Sequence, residues 1–111
     1  MDQKVKELLL NEADNHKDRL VSLVSKLTQF DSFIGDEREV AHFVKDELHN
    51  IGLNVRTTDV DHELIKKRKE YIPMPEDTSY VDRPNVYGTL KGNGGKNSRP
   101  LYLFGHTDVV P

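Results

Sequence analysis

At 111 residues the chain has room for one ordinary domain with a modest core. Its 16 basic and 19 acidic side chains leave a net charge of -3, which excludes the concentrated positive field that nucleic-acid binding exploits. With no cysteine, disulfides and thiolate metal sites are excluded as well, so any metal must be held by nitrogen and oxygen donors.

The first thirty or so residues carry charge throughout, without the apolar core of a signal peptide or a membrane span. A soluble, cytoplasmic protein with no membrane or nucleic-acid partner is expected. Gln3 to Gln29 predicts one long amphipathic helix or two abutting ones. Val5, Leu8 and Leu9 open an apolar stripe, and Leu20, Leu23, Val24 and Leu27 resume it at helical spacing. The polar residues Asn11 to Asp18 between them are either solvated or mark a break capped by Asp14 or Asn15.

After a turn from Phe30 to Gly35, Asp36 and Glu39 resemble a capping box ahead of a second helix over about residues 36–51. Val40, Phe43, Val44, Leu48 and Ile51 supply its apolar face, and Gly52 stands where a left-handed terminating residue is wanted. Leu53 to Val60 alternates apolar and polar, which predicts a half-buried strand. From Asp61 to Pro84 the basic run Lys66–Lys69 and the prolines Pro73, Pro75 and Pro84 predict a long surface excursion with one helical turn at Glu63 to Lys69.

A second strand is expected over about residues 85–91, antiparallel to the first. The turn Gly92 to Ser98 then leads into a third strand over about residues 100–105. Its glycines near Lys96 do not make a phosphate cradle, since no helix follows them. The expected fold class is α/β, with two N-terminal helices packed on a mixed sheet of about three strands.

Leu101, Tyr102, Leu103 and Phe104 form the continuous apolar run of a strand buried on both faces, and it stops at Gly105. His106 and Asp108 follow. In extended backbone, residues two apart project to the same side, so an imidazole and a carboxylate stand together at the strand's carboxyl end, where open α/β sheets bind ligands. Neutral histidine is a common zinc ligand, and a neighbouring carboxylate can ligate the metal or orient the ring. The plain alternative is a polar pair closing an exposed strand. His62, among Asp59, Asp61 and Glu63, invites a metal reading too, but such clusters bordering a loop are ordinarily hydrated surface. His42 with Asp46, and Lys45 with His49, read as surface pairs on the second helix.

Asp82-Arg83-Pro84-Asn85-Val86-Tyr87-Gly88-Thr89-Leu90-Lys91-Gly92, the glycine-rich turn and Gly105-His106-Thr107-Asp108-Val109-Val110-Pro111 together resemble the amino-terminal part of a zinc metallopeptidase family. Its members include acetylornithine deacetylase, succinyl-diaminopimelate desuccinylase, aminoacylase and related carboxypeptidases. The segments are most similar to the acetylornithine deacetylase-like branch, and the specific match covers about the last thirty residues. The resemblance implies the start of a zinc-peptidase catalytic domain spanning residues 1–111. His106 would be a ligand to one of two zinc ions, for which cobalt can substitute, and Asp108 the catalytic-site carboxylate that assists it. It further implies hydrolysis of an amide bond in a small N-acyl amino acid or dipeptide, and a possible homodimer for the intact enzyme only. The family's other metal ligands and its glutamate general base have no counterpart here, so a truncated chain, inactive alone, is expected. The alternative is a non-catalytic small α/β interaction module that pairs through a strand edge.

Overall fold

The computed structural model describes residues 2–73, 78–95 and 98–109. Pro75, part of the loop expected from Asp61 to Pro84, lies outside them, as do Lys96 and Asn97 of the glycine-rich turn and Val110 and Pro111 of the final motif. The chain divides into two compact units, Met1–Phe30 and Asp31–Pro111.

The first unit is a pair of abutting helices, α1 (Gln3–Asn15) and α2 (Lys17–Leu27). Asp2 caps α1 by accepting a hydrogen bond from the Lys4 N–H at 2.9 Å, satisfying one of the free donors at the helix start. The break falls at His16, whose backbone (φ -96°, ψ 3°) leaves helical geometry while its N–H still reaches the Glu12 and Ala13 carbonyls at 3.2 Å. Its ring lies 3.0 Å from Glu12 Oε1. Asp14 and Asn15, expected as caps, are the last residues of α1 instead. Thr28 closes α2, its hydroxyl donating to the Ser25 carbonyl at 2.9 Å.

The second unit holds α3 (Arg38–Asn50), the strand β1 (Asn54–Thr58), a single turn α4 (His62–Ile65) and the strand β2 (Asn85–Thr89). Val40 and Ala41 are its buried apolar residues, with Phe43, Val44 and Leu48 half-buried along the same helix. Termination of α3 follows a Schellman pattern. The Gly52 N–H donates to His49 O and the Leu53 N–H to Leu48 O, with Gly52 at φ +87°, where glycine alone is unstrained. The expected capping box is absent: Glu37 is the N-cap residue and makes no side-chain cap. Its carboxylate instead accepts from the Gly35 N–H and pairs with Arg83, a partner that outcompetes the free amides of the first turn.

β1 and β2 pair antiparallel, with Val55 opposite Gly88, Arg56 opposite Tyr87 and Thr57 opposite Val86. On one face Val55 and Val86 are half-buried. On the other the Arg56 guanidinium sits 4.3 Å above the Tyr87 ring, a cation–π contact across the ladder. Gly88 admits its neighbours closely: a Cβ there would lie 2.7 Å from Leu53 Cδ1 and 3.3 Å from Leu48 Cδ1. The absent side chain is what seats these two leucines against β2.

The mixed α/β character is as expected, but the sheet among the described residues has two strands, not three. Residues 100–105 belong to no strand, and Leu101 to Phe104 are 70% to 92% exposed. An apolar run becomes a central strand only when backbone partners flank it on both sides, and the β1–β2 hairpin does not extend to it. Pairing reappears further on, as a single parallel bridge between Phe33 and Val109. Among the described residues no helix is long and apolar enough to cross a membrane.

Candidate functional site

The segment carrying His106 and Asp108 is held from the opposite end of the second unit. The Ser32 hydroxyl donates to the Thr107 carbonyl at 2.9 Å, and the Val109 N–H donates to the Ser32 carbonyl at 3.0 Å. Ser32 is 1% exposed, the one buried polar residue among those described. These bonds keep the backbone extended past Gly105, and residues two apart then share a side.

That sharing is realised: His106 Nδ1 lies 3.1 Å from Asp108 Oδ1. An ionised carboxylate can only accept, so the neutral ring carries its proton on Nδ1 and leaves the Nε2 lone pair available. The His106 side chain is 82% exposed and that of Asp108 38%. The ring is therefore open to solvent, while the carboxylate that contacts it is half-buried. This is the usual arrangement of a metal-binding histidine whose second nitrogen is fixed by a carboxylate.

One histidine and one carboxylate make an incomplete donor set for a metal ion. Among the described residues no three histidine, aspartate or glutamate side chains come together to hold a metal ion, whereas a catalytic zinc takes three protein ligands. His106 and Asp108 fit the roles of ligand and orienter, and further donors would have to come from elsewhere.

His62 packs against two tyrosines instead of lying as hydrated surface. It is half-buried, with its ring 4.5 Å from that of Tyr80 and its Nε2 3.3 Å from the Tyr71 hydroxyl. Tyr71 and Tyr80 thus clasp the turn α4, which Asp61 caps by accepting from the Leu64 N–H at 2.9 Å. Beside it, Lys66 lies 2.9 Å from Glu63 Oε1, and this hydrogen bond with its attendant charge holds the ammonium above the ordinary lysine range.

Sequence reading did not anticipate the polar clamp at the start of α3. Arg83 pairs with Glu37, donates to the Ser79 carbonyl at 2.9 Å and lies 5.3 Å from the Tyr80 ring centroid. Next to it Arg38 Nε meets Asp82 Oδ2 at 2.7 Å, and His42 Nε2 lies 3.9 Å from Asp82 Oδ1. Asp82 takes φ +57°, unusual for a residue other than glycine, and this turn presents its carboxylate to both partners. These contacts fasten the end of the long excursion to α3 just before β2 begins. The only advance signal was the charge density itself, which does not say who pairs with whom.

No family model, curated protein or solved structure matches this chain.

Proposed function

We propose that the chain is the amino-terminal part of a zinc-dependent hydrolase that cleaves an amide bond in a small N-acyl amino acid or dipeptide, and that it is inactive in isolation. The observation that carries the proposal is the 3.1 Å contact between His106 Nδ1 and Asp108 Oδ1, made by an imidazole that is 82% exposed. His106 would hold zinc, with Nε2 as the ring nitrogen not engaged by Asp108. Asp108 fixes the ring's tautomer and its direction, and raises its basicity toward the metal. Zinc held there would lower the pKa of a water and polarise the scissile carbonyl. Neither residue provides the general base, which is why hydrolysis is not expected from this chain alone. On this reading α3 and the β1–β2 hairpin begin a zinc-peptidase catalytic domain.

Zinc titration of the full chain, followed through the ring 15N resonances of its histidines, tests the proposal. The expected result is a change centred on His106 Nε2, lost in Asp108→Asn or weakened at least about tenfold, the usual cost of removing a carboxylate behind a metal-binding histidine. Chelator-sensitive hydrolysis of N-acyl amino acids by residues 1–111 would refute the claim of inactivity. No response at His106 would refute the claim of ligation. The exposure of Leu101 to Phe104 favours a second reading, a non-catalytic module that adds a strand to a partner. That module predicts no zinc response at His106.

A further inference from the structure

We infer that Ser32 is the positioning residue of the His106–Asp108 pair, an inference that rests on the reading just proposed. The two bonds Ser32 makes are not generic anchors. The Thr107 carbonyl that accepts from its hydroxyl belongs to the peptide group before Asp108, and the Val109 N–H that donates to its carbonyl belongs to the peptide group after it. One residue therefore holds both peptide planes that meet at the Asp108 α-carbon. With both planes held, the two backbone dihedrals of Asp108 are fixed, and with them the direction in which its carboxylate leaves the chain.

Two further observations make this more than packing. Ser32 is 1% exposed, so its hydroxyl has no recourse to bulk water and must find a protein acceptor. The residues just before the pair, Leu101 to Phe104, lie exposed and in no strand, so orientation is not inherited from a preceding ladder. The bond from the Val109 N–H is part of the parallel Phe33–Val109 bridge, whose register sets Ser32 opposite Asp108. Loss of the hydroxyl leaves the Thr107 peptide free to rotate, and Asp108 Oδ1 then loses its fixed approach to His106 Nδ1.

The test is the tautomer of the His106 ring in the full chain, read from 15N resonances at about pH 8, above the ordinary histidine range. The wild-type chain is expected to show a protonated Nδ1 and an unprotonated Nε2, and Asp108→Asn to move the proton to Nε2. Ser32→Ala is expected to lower the Nδ1–H population at least about twofold, while Ser32→Thr, which keeps the hydroxyl, restores it. A structural role alone would alter stability without this tautomer shift. A Ser32→Ala chain with the wild-type tautomer overturns the inference.

Should Ser32→Ala not fold, amide exchange in the wild-type chain decides. The Val109 N–H is expected to exchange about a hundredfold more slowly than an open-chain amide, and an open-chain rate there overturns the inference. The two proposals fail separately. If zinc leaves His106 untouched while its tautomer still follows Ser32, zinc ligation is refuted and the role of Ser32 stands. If zinc binds at His106 while the tautomer ignores Ser32, the reverse holds.

Discussion

Replacing Glu37 by alanine removes the carboxylate that Arg83 faces, with side chains only 14% and 12% exposed respectively. Breaking a buried ion pair from one side costs about 3–5 kcal/mol, because the remaining charge is left without its partner. Here Arg83 keeps the Ser79 carbonyl and the Tyr80 ring, and some exposure remains, which lowers the expectation to about 2–3 kcal/mol. Part of that cost is the Gly35 N–H, which loses its acceptor at the same time. In urea unfolding followed by far-UV circular dichroism, a slope near ~1 kcal/mol/M turns this into a midpoint lower by about 2–3 M. The neighbouring pair Arg38–Asp82 is exposed on both sides, so Arg38→Ala should cost under about 1 kcal/mol. Combining Glu37→Ala with Arg83→Ala should cost less than the sum of the two by at least about 1 kcal/mol. Equal costs for Glu37→Ala and Arg38→Ala, or strict additivity in the double variant, would refute the claim that the Glu37–Arg83 pair fastens the unit.

The remaining predictions concern backbone geometry, close packing and pH. Gly52→Ala meets no atom within 4 Å but must adopt φ +87°, so it should cost about 1 kcal/mol, read as a lower urea midpoint with an unchanged slope. Gly88→Ala puts a methyl 2.7 Å from Leu53 Cδ1 and should cost about 1–3 kcal/mol through displacement of that leucine, visible as a shift of its methyl resonances. Lys66 has its pKa raised in the folded chain, chiefly by the hydrogen bond it donates to Glu63. The favourable contact is therefore fully present below the unfolded lysine value of 10.5 and disappears as pH climbs through the higher folded value. Exchange-corrected protection of the turn α4 should accordingly be flat across neutral pH and fall only in that alkaline window, and Glu63→Gln should abolish the fall.

What could be read from the chain beforehand was local. The spacing of Val40, Phe43, Val44 and Leu48 and the placing of Gly52 specify a helix and its end within a single stretch, and the structure forms both. The antiparallel pairing of β1 and β2 likewise matches their composition. The failures share one cause, a partner far away in the chain. Asp36 and Glu39 have the spacing of a capping box, yet Glu37 is drawn to Arg83, 46 residues on. Leu101 to Phe104 have the composition of a buried strand, but composition does not provide the neighbours that would bury it. His62 reads as a charged-loop residue until Tyr71 and Tyr80 are brought around it. The proximity of His106 and Asp108 was legible because it needs only extended backbone across three residues, whereas Ser32 carries no pattern that marks it.

The bond from Ser32 to Thr107 closes a span of 75 residues. Bringing such distant points together has an entropic cost of about 4 kcal/mol, which shorter-range elements such as α3 and its following turn do not face. Assembly should therefore run in a fixed order, α3 first, the β1–β2 pair next and the His106 corner last. Under thermal or chemical stress the order reverses, so the His106–Asp108 contact would be lost while most of the spectroscopic signature of folding persists.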